Sequence, residues 1–216
     1  MSHYTFQFIL FDLGGVLFDI DYRLTQDAFR KLGWSEVEDA YKQSRQTALF
    51  DQYECGRIST EAFCDEIRGI LQKPELSNEE IAAAWNAMLL GLPLGAAQWM
   101  KELKKDFHVS LLSNTNDLHL TEVRRANPHF SALESQFDHA FYSHELGLRK
   151  PNPEVFLEVC RQMGAKPQKV IFIDDTLKHV NGARKAGLQA YHYSKKHSLI
   201  ASGTAPQEFL RLISGG

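Results

Sequence analysis

The sequence predicts an α/β protein in which a parallel five-stranded sheet carries helices on both faces and a block of helices is inserted after the first strand. Three observations predict it. Short apolar runs bounded by turn residues recur five times, helix-period segments separate most of them, and nearly a hundred residues between the first two runs carry no strand signal.

The first run, Phe6 to Phe11, is of strand length and closes on Asp12-Leu13-Gly14-Gly15. The helical interval follows. Tyr22 to Leu32 ends at Gly33, and Ser35 caps a segment running to about Tyr53. Ser59-Thr60-Glu61 opens a third helix that Pro74 stops, and Ser77-Asn78-Glu79-Glu80 is the capping signature of a fourth, ended by Gly91. Gly95 to Lys105 is a helix leading into the second strand, Val109 to Leu112. The third strand is Ala140 to Tyr142, the helix Pro153 to Met163 precedes the fourth at Val170 to Ile173, and Gln189 to Tyr193 is the fifth. This alternation describes a Rossmann-like sheet covered on both faces. With no internal repeat, low-complexity tract or flexible linker in view, the insertion is expected to pack on the core.

The length of 216 residues exceeds one ordinary domain of roughly 150 and falls short of two. Assigning residues 18–92 to the insertion leaves 1–17 and 93–216 as a core of ordinary size. The chain is 44% hydrophobic and 24% charged, which excludes disordered and fibrous classes. A net charge of -3 offers no long-range attraction to a polyanion, so neither nucleic acid nor an anionic membrane surface is expected as a partner. There is no uncharged apolar stretch of about 18 residues and no basic start or cleavage site of a secretory leader, so no membrane span and a cytoplasmic location are expected. Cys55, Cys64 and Cys160 are odd in number and lack CxxC spacing, as reduced, buried thiols would be. No heptad or interface stripe sets an oligomeric state.

Ligands of an open parallel sheet bind beyond the carboxyl ends of its strands. The residues there are Asp12-Leu13-Gly14-Gly15, Ser113-Asn114-Thr115-Asn116 and Asp174-Asp175-Thr176, with Lys150-Pro151 shortly after the third strand. Singly, each has a structural reading as a turn residue or helix cap. Jointly, three carboxylates on one edge repel unless a cation joins them, and an all-oxygen set completed by a substrate phosphate is the environment of Mg2+. Lys150 suits the remaining phosphate charge and would hold a carboxylate ionised. Ser113 and the backbone N–H groups after Asp12 could complete a phosphate cradle, with Asp12 the nucleophile that forms an aspartyl phosphate.

The chain resembles the haloacid dehalogenase superfamily, most of whose members are Mg2+-dependent phosphatases. Four motifs carry the resemblance in order: FILFDLGGVL around Asp12, VSLLSN ending in Ser113-Asn114, LGLRKPNPEVF around Lys150, and VIFIDDTLKHVNGARKAG around Asp174-Asp175. FDLGGVLFDID and YECGRIS are similar, more narrowly, to a sugar-phosphate phosphatase group and to the phosphatase domain of soluble epoxide hydrolase. The resemblance implies a phosphatase acting on a small phosphorylated metabolite, with residues 18–92 as a helical cap closing over the site. Asp12 matches the nucleophile and a metal ligand, Ser113 and Asn114 the phosphate-binding pair, Lys150 the phosphate-binding lysine, and Asp175 the usual metal ligand. Asp174 matches either a second ligand or an outer partner that orients a bound water, the latter favoured. His179 stands four residues after Asp175, where many relatives carry Asp or Asn, and is expected either as a partly exposed helix residue or as part of the site.

Gly14 departs from the pattern. Most family phosphatases carry there a second Asp that protonates the leaving group and lends its carbonyl to the metal; glycine keeps the carbonyl and loses the acid. General acid–base help is worth typically ~10²–10⁴-fold. Its loss suggests esters with stabilised leaving groups, such as anomeric or acyl phosphates, unless Asp19 or Asp21 supplies the proton; a polar hinge is the alternative for both. A 2-haloacid dehalogenase using Asp12, or a phospho-ligand binding protein with little turnover, are the competing functional readings. Glu54-Cys55-Gly56-Arg57 is expected as either a specificity loop or a surface loop.

Overall fold

The computed structural model describes residues 4–37, 41–42, 45–46, 48–194 and 197–214. Strands β1 (Phe8–Phe11), β6 (His108–Ser113), β7 (His139–Tyr142), β8 (Val170–Asp174) and β9 (Gln189–His192) form one parallel sheet in the order β7-β6-β1-β8-β9. These are the five strands predicted, shifted at their ends by one or two residues. Alternate side chains enter opposite cores, as the pleat requires: Ile9, Phe11, Val109, Leu111, Ile171 and Ile173 pack on one face, and Leu10, Leu112, Val170 and Phe172 on the other. Helices α5 (Ala96–Leu103), α6 (Asp117–Ala126), α7 (Phe130–Glu134), α9 (Pro153–Gln162), α10 (Leu177–Lys185) and α11 (Pro206–Ile213) surround the sheet. The short α8 (Ser143–Leu146) follows β7 directly.

The first crossover holds α1 (Tyr22–Lys31), α2 (Ala48–Glu54), α3 (Thr60–Leu71) and α4 (Asn78–Asn86). They enclose their own core, in which Phe29, Phe50, Phe63, Ile67 and Trp85 have no exposed surface. Phe50 and Trp85 stack 5.1 Å apart at its centre. The predicted caps form: Ser59 accepts from the Ala62 amide, and Ser77 with Glu80 makes a reciprocal capping box.

Two sequence expectations need correction here. The segment from Ser35 to Tyr53 is not one helix. An antiparallel pair, β3 (Tyr41–Lys42) and β4 (Arg45–Gln46), precedes α2, while the parts of the expectation at residues 38–40, 43–44 and 47 lie outside the described residues. Nor is the interval free of strand otherwise. β2 (Asp19–Ile20) pairs antiparallel with β5 (Leu89–Gly91), so Gly91 ends a strand, and α4 stops earlier, at Asn86. This ribbon gathers the two connections between sheet and inserted helices, and at two and three residues it is too short to show a period-two pattern.

Candidate active site

Register builds the site. Phe11 lies opposite both Leu111 and Ile173, so Asp12 emerges between the ends of β6 and β8, and its amide donates to the Ile173 carbonyl at 2.9 Å. Ser113 and Asp174 close the neighbouring strands at the same edge. Lys150, brought over by the loop after α8, has no exposed side-chain surface and reaches both acids: Nζ lies 2.8 Å from Asp12 Oδ1 and 2.7 Å from Asp174 Oδ2.

The two carboxylates are held differently. Asp174 receives Lys150, the Thr176 amide at 2.7 Å and His179 Nδ1 at 3.1 Å, all on a fully buried side chain. Burial favours its neutral form, but Lys150 and His179 outweigh this and pull its pKa to about 2. Asp12 Oδ1 receives Lys150 and the Leu13 amide at 2.7 Å, and Oδ2 has no protein partner among the described residues. Burial, with Asp174 and Asp175 alongside, pushes Asp12 well above the usual carboxylate range despite Lys150. The lysine itself is opposed by burial, yet the two acids hold its pKa above the ordinary value.

Asp12, Asp174 and Asp175 each present a ligand oxygen, all within 4.8 Å of one another. Three carboxylates against one ammonium leave a negative excess, and oxygen-only donors suit a hard divalent cation. The residues therefore fit Mg2+. Asp175 is packed against the backbone of Gly15, where a Cβ would fall 2.4 Å from Asp175 Oδ2 and where φ is +74°, so only glycine serves at that position.

Ser113 and Asn114 meet at this edge with different duties. The Ser113 hydroxyl lines the cavity and has no protein partner among the described residues. The Asn114 carboxamide is engaged twice with Lys150: Nδ2 donates to its carbonyl and its amide donates to Oδ1, both at 3.0 Å. Gly14 lines the cavity as well. His179 is buried on α10, lines the cavity and bonds to Asp174, so it is not the partly exposed helix residue of one expectation.

Asp19 and Asp21 take the polar-hinge reading and not that of a proton donor. Asp19 and Asp21 alternate with Ile20 and Tyr22. The latter pair lines the cavity with Asp12, whereas Asp19 and Asp21 face a separate groove. There Asp19 accepts from the Ser198 amide at 2.7 Å and Asp21 caps α1, so neither replaces the acid absent at Gly14. The loop after α2 does not reach the cavity either. Glu54 pairs with Arg149 at 2.8 Å, Gly56 lies against the His144 carbonyl so closely that a Cβ would stand 2.2 Å from it, and Arg57 is exposed. The loop fastens the inserted helices to the core.

His119 and Asn86 belong to none of the motifs that the sequence singles out. His119 lies in the first turn of α6, where the Asn116 side chain accepts its amide at 3.1 Å, and lines the cavity. A histidine three residues beyond an N-cap that itself follows a strand end was the available signal. All three cysteines are free and buried, as expected.

Residues 6–187 match the haloacid dehalogenase-like hydrolases. The chain is 31% identical over 187 residues to D-ribitol-5-phosphate phosphatase of Bacteroides thetaiotaomicron, covering 85% of this chain and 89% of that protein. Among solved structures it is similar to an aspartate-to-alanine mutant of a HAD-family enzyme of Bacteroides thetaiotaomicron in complex with magnesium and inorganic phosphate, at 31% identity and TM-score 0.80, with 86% of this chain and 93% of the other covered. It also resembles a HAD-like family hydrolase of Porphyromonas gingivalis, at 30% identity and TM-score 0.83 over 96% and 98% of the two chains.

Proposed function

The chain belongs to the haloacid dehalogenase-like hydrolases, and we infer that it is a Mg2+-dependent phosphatase that hydrolyses a small phosphorylated metabolite through an aspartyl phosphate on Asp12. One observation carries this reading: a buried carboxylate with one oxygen held by Lys150 and Leu13 and the other without a protein partner among the described residues, beside two further aspartates.

In this reading Asp12 Oδ2 attacks phosphorus, the ester P–O bond breaks, and the electron pair departs with the leaving alkoxide, which takes its proton from water because Gly14 supplies none. Water then attacks the aspartyl phosphate, releasing phosphate and restoring the Asp12 carboxylate. Lys150 and Ser113 bind phosphoryl oxygens, and Asn114 holds the lysine's backbone in place. Asp12, Asp175 and the Gly14 carbonyl would hold Mg2+, with Asp174 oriented by His179 as an outer partner. When bound, the ion supplies positive charge that favours ionised Asp12 and offsets the charge of the phosphoryl group.

Residues 18–92 act as a cap over residues 1–17 and 93–216, a division supported by the separate aromatic core of the inserted helices. The curated relative named for D-ribitol 5-phosphate supports a sugar or polyol phosphate as substrate. A cytoplasmic location is supported by the three free thiols. Halide displacement needs no cation, so the carboxylate cluster around Asp12 does not favour a dehalogenase. The reading is tested by acid-quenching a turnover mixture and mapping phosphorylation by mass spectrometry. A phosphoryl group on the Asp12 peptide is expected, and its absence during active turnover would contradict the intermediate.

A further inference from the structure

The wall of the cavity away from Lys150 and the aspartates is largely apolar, formed by Phe18, Ile20, Met88, Leu89 and Val123. Tyr22, Thr115 and His119 are polar members of the lining. His119 is held from three sides: its ring stacks on Trp85 at 4.7 Å and 12°, its amide donates to Asn116, and Nδ1 meets Asn86 Oδ1 at 2.8 Å. A carboxamide oxygen only accepts, so Nδ1 carries the proton and Nε2 keeps a bare lone pair. Nε2 has no protein partner among the described residues.

An acceptor on the wall of a phosphatase cavity requires a donor. The phosphoryl dianion brings only acceptors, and burial drives the His119 pKa down to about 3, which favours the neutral ring near pH 7. Of the two parts of a bound phosphoester, only the leaving group can bring the donor.

We propose that His119 is a specificity-determining residue whose Nε2 accepts a hydrogen bond from a hydroxyl of the leaving group, so that the substrates are hydroxyl-bearing alkyl phosphates, phosphorylated polyols or sugars, and not phosphates of apolar alcohols or phenols. The proposal rests on the phosphatase reading. Asn86 is the positioning residue: it comes from α4 of the inserted helices, whereas His119 comes from α6 of the core, so docking of the two sets the tautomer.

The test is the ratio of kcat/KM for D-ribitol 5-phosphate to that for phenyl phosphate, measured with the Mg2+-loaded full-length protein and with His119→Leu, His119→Gln and Asn86→Ala. Loss of one hydrogen bond to a neutral group predicts a ratio about 10-fold lower in His119→Leu, partly lower in Asn86→Ala, and restored towards wild type in His119→Gln, whose carboxamide oxygen can accept. A purely structural role lowers both substrates together. An unchanged ratio therefore overturns the proposal and leaves the phosphatase reading standing, whereas no phosphate release from either substrate by the wild type overturns both. Should His119→Leu fail to fold, the Asn86→Ala ratio decides by the same criterion.

Discussion

Lys150 and Asp174 form a fully buried ion pair, Nζ to Oδ2 2.7 Å, with neither side chain exposed. The pair fixes the ammonium that also touches Asp12. Replacing Lys150 by Met removes the cation and strands a buried carboxylate, which costs roughly 3–5 kcal/mol. Lys150→Met should therefore lower the urea midpoint as well as abolish turnover, and Lys150→Arg should restore neither, because a planar guanidinium does not fit a point-charge site. Equilibrium unfolding and phosphate release check both statements.

Mg2+ should stabilise the folded chain in a pH-dependent way. Asp12 is held above the usual carboxylate range by burial and its acidic neighbours, so protons compete with the ion there, and the competition grows as pH falls towards that raised pKa. At 100 times Kd, binding adds about 2.7 kcal/mol, or roughly 5–10 °C in Tm for a chain of this size. Thermal melts with and without Mg2+ should show the increment shrinking as pH is lowered and much reduced in Asp175→Asn.

Gly14→Asp restores the acid position at a modest steric cost. An added Cβ would stand 3.0 Å from Ile20 Cδ1, the end of a flexible side chain. If proton donation limits the reaction, the variant gains more on a primary alkyl phosphate than on a sugar 1-phosphate, with ~10²–10⁴-fold as the ceiling. Equal rates on both esters in the parent protein, and no gain in the variant, would show that Gly14 is not limiting.

The Arg149–Glu54 pair links core to inserted helices, with Asp51 as a second acidic partner. Arg149→Ala leaves Glu54, whose side chain is 7% exposed, without that partner. Faster amide exchange over Ala48–Glu54 and a raised KM are expected, with a smaller effect on the core strands.

His119 predicts an acid-side loss of stability. Its pKa falls from an ordinary 6.5 to about 3 through burial, so the folded state disfavours protonation that the unfolded state accepts. Its contribution is present above pH 6.5 and is lost as pH drops towards 3. His119→Gln should flatten that part of the profile of unfolding free energy against pH.

The five strands and the residues at their carboxyl ends were legible because a parallel core strand is a short apolar run and its next residue faces the ligand edge. Asp12, Ser113, Asp174 and Asp175 follow from that rule alone. Lys150 sits past a short helix after β7, so the strand-end rule pointed only to its neighbourhood, and the family resemblance gave it the role of the phosphate-binding lysine. The β2–β5 ribbon was hidden by its brevity, and the break in the Ser35–Tyr53 segment by apolar residues compatible with a helix. Loop positions were least readable. Whether Arg57 or Glu54 turns inward depends on Arg149, nearly a hundred residues away in sequence and invisible to any local pattern. The pairing of His119 with Asn86 depends likewise on how two separate hydrophobic cores meet.

Phosphate release from a panel of small phosphoesters, with Mg2+ or with EDTA, measured beside halide release from a 2-haloacid, separates a phosphatase from its alternatives. A phosphatase with Asp12 as nucleophile releases phosphate only with Mg2+, loses that activity in Asp12→Asn, and releases no halide. Halide release insensitive to EDTA, or tight phosphoester binding without turnover, would contradict the phosphatase reading.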